Sequence, residues 1–215
     1  MKKFLLILCL SVCPVFAQNA TPFCTSMSAR VHVTALPGKP NYITKYSREE
    51  FLKKVGNDVS PYTLGLTVSK LDVHIEATPS ISKQLDKYCV SLENVEIELK
   101  NVILDVYIDK KYKPSTCEYK TIKSHENYHV AVAQQALVFF KSDIEKAAAQ
   151  ALRGISPQIV YSTGDIQNVA LRQVNIINNA LKPVIAHINQ KLNEKDKAID
   201  TPEMYRKTSA LCNNW

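Results

Sequence analysis

His125-Glu126-Asn127-Tyr128-His129 sets two imidazoles four residues apart, with a carboxylate next to the first. On a helix, positions i and i+4 lie about 40° apart on one face, so both rings can aim a nitrogen at a single point. Glu126 sits about 100° round from His125, where it can reach a water held at that point without binding the ion itself. This is the H-E-x-x-H arrangement in which two His bind Zn²⁺ and the Glu serves as general base. The ion brings the pKa of its water towards ~7 and the carboxylate takes the proton. The plainer reading is an exposed helix whose two His are solvated and whose Glu makes an ordinary ion pair.

The surroundings decide whether that geometry is available. Cys117 to Ser124 before the motif and Val130 to Ala136 after it have helical character. Ser115-Thr116-Cys117-Glu118 reads as a capping box that opens the helix, which runs to about Leu152 with Gly154 as terminator and Pro157 beyond. Val132, Ala136, Leu137, Phe139, Phe140 and Ile144 supply its buried side. Asp165 can cap a second long helix reaching about Leu192. There Val174, Ile177, Leu181, Val184 and Ile188 mark a stripe for packing on another helix, and Pro183 is a place for a bend. Thr201-Pro202-Glu203 opens a short capped helix in the tail.

Upstream, the pattern changes period. Arg30 to Ala35 alternates as a strand, closed by Leu36-Pro37-Gly38-Lys39-Pro40, and Ser47-Arg48-Glu49-Glu50 is a capping box for a short helix stopping at Gly56. Tyr62 to Ala77 is strand-like, with a change of phase near Ser69-Lys70 that predicts a turn or bulge. His74 lies on it opposite the apolar set, as a surface residue. Pro79 to Lys87 is compatible with a loop or a turn or two of helix. Val95, Ile97 and Leu99 alternate with Glu96, Glu98 and Lys100, a strand with one wet face. Asn101 breaks the phase before a second, more apolar strand from Val102 to Ile108. These two are expected to pair antiparallel, leaving an edge to which an extended peptide can add.

The chain opens with Lys2 and Lys3, the apolar run Phe4 to Leu10 and the small-residue ending Val15-Phe16-Ala17. Residues 1–17 therefore read as a secretory signal peptide cleaved before Gln18. Leu10-Ser11-Val12-Cys13 resembles a lipoprotein box, but Val12 is too bulky before the Cys. No later stretch is long and apolar enough for a membrane span, so no stable membrane insertion is expected. Without Lys2 and Lys3, 25 basic residues face 20 acidic ones, spread along the chain with nothing resembling a nucleic-acid module. Four Cys remain, Cys24, Cys89, Cys117 and Cys212. In an exported protein these make two disulfides in any of three pairings, tying the ends to the body.

The fold class expected is α+β, with N-terminal antiparallel strands followed by two long helices, the first bearing the motif in a zincin-like arrangement. A single domain of residues 18–215 divides into a strand-rich part (28–110), a helical part (115–195) and a disulfide-tied tail (196–215). A catalytic zinc takes three protein ligands, and the motif supplies two. The longer form of the motif is excluded because Val132 and Gln135 occupy the Gly and His positions. Asp143 lies about 27 Å from His125 along an unbroken helix, and Glu145 fails similarly. If the two long helices form an antiparallel hairpin, residues near 190 return to the level of His129. That makes His187 and Glu194, at i and i+7, the candidates for the third position.

The sequence resembles a bacterial family of predicted secreted zinc-dependent proteases that is catalogued as a domain of unknown function. The resemblance runs over roughly residues 60–150. It is carried by Cys89-Val90-Ser91-Leu92-Glu93-Asn94-Val95-Glu96-Ile97, by Tyr112 to Cys117, and by the helix with His125-Glu126-Asn127-Tyr128-His129. It implies an exported peptidase-like domain with His125 and His129 as Zn²⁺ ligands, Glu126 as catalytic base, and a peptide or protein as substrate. Two other readings use the same residues: a non-catalytic envelope binding or structural protein that keeps the helix, and a cell-wall amidase. The pattern specifies no oligomeric state.

Overall fold

A computed structural model describes residues 23–25, 29–55, 63–213 and 215. The signal peptide of residues 1–17, the stop at Gly56 and the strand start at Tyr62 lie outside the described residues. The elements follow the order β1 (Arg30–Leu36), β2 (Asn41–Ile43), α1 (Arg48–Val55), β3 (Gly65–Gln84), β4 (Lys87–Ile108), α2 (Cys117–Arg153), β5 (Gln158–Val160), α3 (Thr163–Ile199) and α4 (Pro202–Ser209). Among the described residues the architecture is α+β, a five-stranded sheet with four helices, two of them 37 residues long.

The sheet is built around β4. β3 pairs with it antiparallel from Gly65↔Ile108 to Gln84↔Lys87, so Leu85 and Asp86 form the turn, Leu85 at φ 55°. The other edge of β4 carries three short partners: β5 at Tyr88–Val90, β1 at Asn94–Lys100 and β2 at Asp105–Tyr107. Two expectations need correction here. β1 and β2 pair parallel with β4, so the strands are not all antiparallel. Nor do residues 95–100 and 102–108 pair with each other, because they are one strand, and their partner is β3. Residues 79–84, read as loop or helix, are the end of β3, and β2 and β5 were not anticipated as strands.

The phase change at Ser69-Lys70 and the break at Asn101 are one irregularity seen from two strands. Lys70 faces Ile103 and Leu71 faces Asn101, leaving Val102 as the extra residue of a bulge. A one-residue insertion restores the face that a period of two would otherwise lose. Thus Val95, Ile97 and Leu99 before the bulge, and Leu104, Val106 and Ile108 after it, all turn towards the helices. The opposite face is wet: Glu96 is exposed, Lys100 Nζ meets Glu98 at 2.8 Å, and His74 is a surface residue 3.0 Å from Glu76.

α2 and α3 form an antiparallel hairpin over the buried face. Along it, Gln173 Nε2 donates to the Ser156 carbonyl, His187 stacks edge-on against Phe140, and His129 meets Asp196. The distal half of α2 (Leu137, Phe140, Ile144) and α3 (Ile177, Leu181, Ile188) pack on the first half of β4. The proximal half of α2 (Tyr119, Ile122, Val130, Ala133) packs on its second half. α3 runs through Pro183 without ending, and continues seven residues past the expected Leu192. The cap of α2 is Thr116, whose Oγ1 accepts from the Tyr119 N–H, one residue beyond Ser115. Disulfides join Cys24 to Cys89 and Cys117 to Cys212.

Candidate metal centre

The motif occupies the third turn of α2, where the helix crosses the N-terminal end of β3. Its functional side chains face inward: His125, Glu126 and His129 are all buried. The two intervening residues face out, Tyr128 to solvent and Asn127 to a hydrogen bond from Tyr42 Oη. Burying three polar groups is costly unless each finds a partner, and each does.

His125 Nε2 lies 3.1 Å and His129 Nε2 3.2 Å from the same atom, Oδ1 of Asp200. Asp200 is the residue that caps the C-terminus of α3, its N–H bonded to the Asp196 carbonyl. Asp196, one turn earlier, takes the other ring nitrogen of His129, Nδ1, at 2.8 Å. Tyr205 Oη, from α4, donates to Asp200 Oδ1 at 2.7 Å, and its ring lies 5.3 Å from that of His125. Thus an Asp pair spaced i, i+4 at the C-terminal end of α3, the second its cap, meets a His pair spaced i, i+4 on α2.

Glu126 is held from the other side. Thr67 Oγ1 on β3 donates to Glu126 Oε2 at 2.8 Å. The backbone at Gly65 leaves the notch in which the carboxylate lies: a Cβ there would sit 2.8 Å from Glu126 Oε1 and 2.7 Å from Ile122 Cγ2. A cleft of about 370 Å³ opens beside these groups, bounded by Thr67, Glu126, His129, Asp196, Asp200 and Tyr205.

The electrostatics follow from burial and pairing. Burial disfavours a charged His129, but bonds to Asp196 and Asp200 more than offset it and push its pKa up to about 10. Burial would likewise raise Asp200, yet bonds from His125, His129 and Tyr205 hold it well below the usual carboxylate range. Burial pushes Glu126 up, against the pull of His129 and Thr67. Burial also raises the Tyr205 hydroxyl, and its bond to Asp200 adds to that.

His125, His129 and Asp200 each offer one donor atom, all within 4.8 Å of one another, and the three could hold a metal ion. Two imidazole nitrogens and a carboxylate oxygen are donors that first-row divalent ions accept. Two ligands bound at about 2.0 Å on a tetrahedral ion lie about 3.3 Å apart, close to the two observed N···O separations. The carboxylate on His129 Nδ1 also fixes the ring so that Nε2 faces the common point.

Neither of the two residues proposed from sequence joins this cluster. His187 lies against Phe140, further along the hairpin, and Glu194 is engaged by Gln190 Nε2 and Lys191 Nζ. The reason is stagger. From His129 to the end of α2 is about 36 Å, whereas α3 needs about 50 Å from its start to Asp196. The connection carries β5 to its place on β4 before α3 begins, and the level of His129 is regained only at 196–200. Asp143, set aside as too distant, pairs with Lys146. Asp196, Asp200, Tyr205, Thr67 and Gly65 were all missed. The usable signal was the Asp196/Asp200 spacing, which mirrors that of the His pair.

The chain matches no protein-family model, no curated protein and no solved structure. Its two disulfides fit an oxidising, extracellular setting, and no described helix is long and apolar enough to cross a membrane.

Proposed function

We propose that this chain is an exported zinc-dependent metallopeptidase of zincin-like design, acting on peptide or protein substrates outside the cytoplasm. One observation carries the reading: the Asp200 carboxylate meets Nε2 of both His125 and His129, beside a buried Glu126 that binds none of them. It supplies the third donor that the motif lacks. The resemblance to secreted bacterial zinc-dependent proteases supports the same reading through His125, Glu126 and His129.

When bound by these three side chains, zinc polarises a carbonyl and acidifies water. The remaining work falls to the protein. Glu126 takes the proton of the attacking water and passes it to the leaving amine. Burial raises its pKa, which makes the carboxylate a stronger base towards the water than an exposed one. Thr67 holds one carboxylate oxygen, and the other lies in the notch at Gly65, which borders the cleft. Asp196 keeps the proton of His129 on Nδ1, and Tyr205 anchors Asp200.

The test is metal analysis of purified protein together with cleavage of a casein or mixed-peptide substrate, on wild type and on Glu126→Gln. Wild type carries one zinc and cleaves, while Glu126→Gln keeps the zinc and loses turnover by a factor of about 10² or more. Cleavage that survives the substitution removes Glu126 from the role.

The non-catalytic reading draws on a different observation. The ion pairs among His129, Asp196 and Asp200 already satisfy these side chains. A protein that binds no zinc, and melts at the same temperature with or without it, fits a structural cluster.

A further inference from the structure

Behind Tyr205 lies a second and larger cavity, of about 1080 Å³, whose charge differs from that of the metal centre. Three cations border it: Arg48 at the head of α1, Lys111 in the loop after β4, and Arg206 on α4. The one carboxylate on its wall, Asp109, is buried and accepts the backbone N–H groups of Arg48 (3.1 Å) and Lys111 (2.9 Å). Arg48 Nε is fixed by the Thr63 carbonyl at 2.8 Å. The Lys111 ammonium lies 4.5 Å over the Tyr112 ring, with Asp109 and Glu49 as its acidic neighbours. Lys111 and Arg206 both reach solvent.

Thr63 and Tyr205 line both this cavity and the cleft holding Glu126 and His129. Their hydroxyls lie 3.5 Å apart, so the pair is the wall shared by the two spaces, and a ligand that occupies both lies across it. Guanidinium and ammonium groups around a partly enclosed space favour a carboxylate, and arginine does so with a fork that matches its two oxygens. From this juxtaposition we propose that the Arg48–Lys111–Arg206 cavity is a subsite that takes a carboxylate of the peptide substrate. That carboxylate is either an acidic side chain near the scissile bond or a free C-terminus. The inference rests on the peptidase reading for its substrate class.

Binding rather than turnover tests it. Zinc-loaded Glu126→Gln protein is titrated calorimetrically with three alanine-based hexapeptides. One is blocked at both ends with a central glutamate, one carries glutamine in its place, and one is all-alanine with a free C-terminal carboxylate. One of the two carboxylate peptides binds at least tenfold tighter than the glutamine peptide, and which one it is identifies the source. Adding Lys111→Gln and Arg206→Gln brings that ratio close to one while zinc affinity stays unchanged. Equal affinity for all three peptides, including none, overturns the subsite, as does a preference that survives the double substitution. If the preference is present but wild type cleaves nothing, the subsite stands and the peptidase reading falls. If wild type cleaves all three peptides at equal rates, the subsite alone is lost.

Discussion

Asp200 Oδ1 stands 3.2 Å from His129 Nε2, although 71 residues separate the two in sequence. The contact closes the hairpin of α2 and α3 at its open end and supplies the acidic member of the donor set.

Asp200→Ala removes that donor and also unties Tyr205. Zinc affinity, measured against a competing chromophoric chelator, falls at least 100-fold, while far-UV circular dichroism stays that of the parent. Asp196→Asn keeps a hydrogen-bonding partner on His129 Nδ1 but loses the charge, and costs about 10-fold to 100-fold in affinity. An Asp200→Ala protein that binds zinc as well as wild type would show that the carboxylate is only an ion-pair partner.

Stability against pH has a definite sign in metal-free protein. His129 is raised to about 10, so its contribution is complete below its unfolded pKa of about 6.5 and is lost as pH rises through 10. Asp200 is lowered, so its contribution is complete above about pH 4 and is lost as pH falls through its depressed value. Glu126 is raised, so its contribution is complete below about 4.5 and declines above that. Together they place the optimum of chelator-treated protein in mild acid, between about pH 4 and 6. Zinc must displace the proton from His129, so the gain in melting temperature on adding zinc grows with pH. Thermal melts from pH 4 to 10, with and without zinc, check both trends; a metal-free protein most stable above pH 8 contradicts them.

The local half of the site is legible in the sequence and the tertiary half is not. His125, Glu126 and His129 follow from one helical turn, and the caps at Ser47 and Thr201 are equally local. Asp200 depends on how far α3 overshoots the end of α2, a distance set by where β5 pairs, and β5 is only three residues long. Alternation in Arg30–Leu36 marks a strand but reads the same for parallel and antiparallel partners, so its parallel pairing with β4 is invisible locally. At Asn101 a break in phase looks like the end of a strand. Only the partner strand, with its own irregularity at Lys70/Leu71, identifies it as a bulge.

A substitution at Gly65 is expected to act on Glu126 and not on the His125–His129–Asp200 cluster. A methyl group there would meet the Glu126 carboxylate and the Ile122 side chain closer than van der Waals contact allows, so one of them must move. Gly65→Ala lowers stability by about 1–3 kcal/mol, as overpacking does, and shifts Glu126 from its bond with Thr67. Because His125, His129 and Asp200 are not displaced, zinc affinity stays within about twofold while peptide cleavage falls. Urea denaturation, zinc competition and cleavage assays on one preparation measure the three effects. Loss of zinc in step with loss of cleavage would mean that Gly65 supports the whole centre.

The two disulfides divide the same way. Cys117 opens α2 two turns before His125, and Cys212 follows α4, whose Tyr205 holds Asp200. Trp215 Nε1 donates to the Cys212 carbonyl and its ring meets Tyr112, so the segment after α4 is packed as well as cross-linked. Cys24–Cys89 instead staples the N-terminal segment to the start of β4, at the end of the strand away from Gly65 and the motif. Each bond closes a long loop, 65 or 95 residues, and its loss destabilises by about 2–5 kcal/mol. Only the loss of Cys117–Cys212 frees the element whose Tyr205 holds Asp200. Paired serine substitutions should therefore lower both melting temperatures, whereas zinc affinity falls tenfold or more in Cys117→Ser/Cys212→Ser alone. If both variants bind zinc as wild type does, α4 holds its place by packing and the disulfide adds only stability.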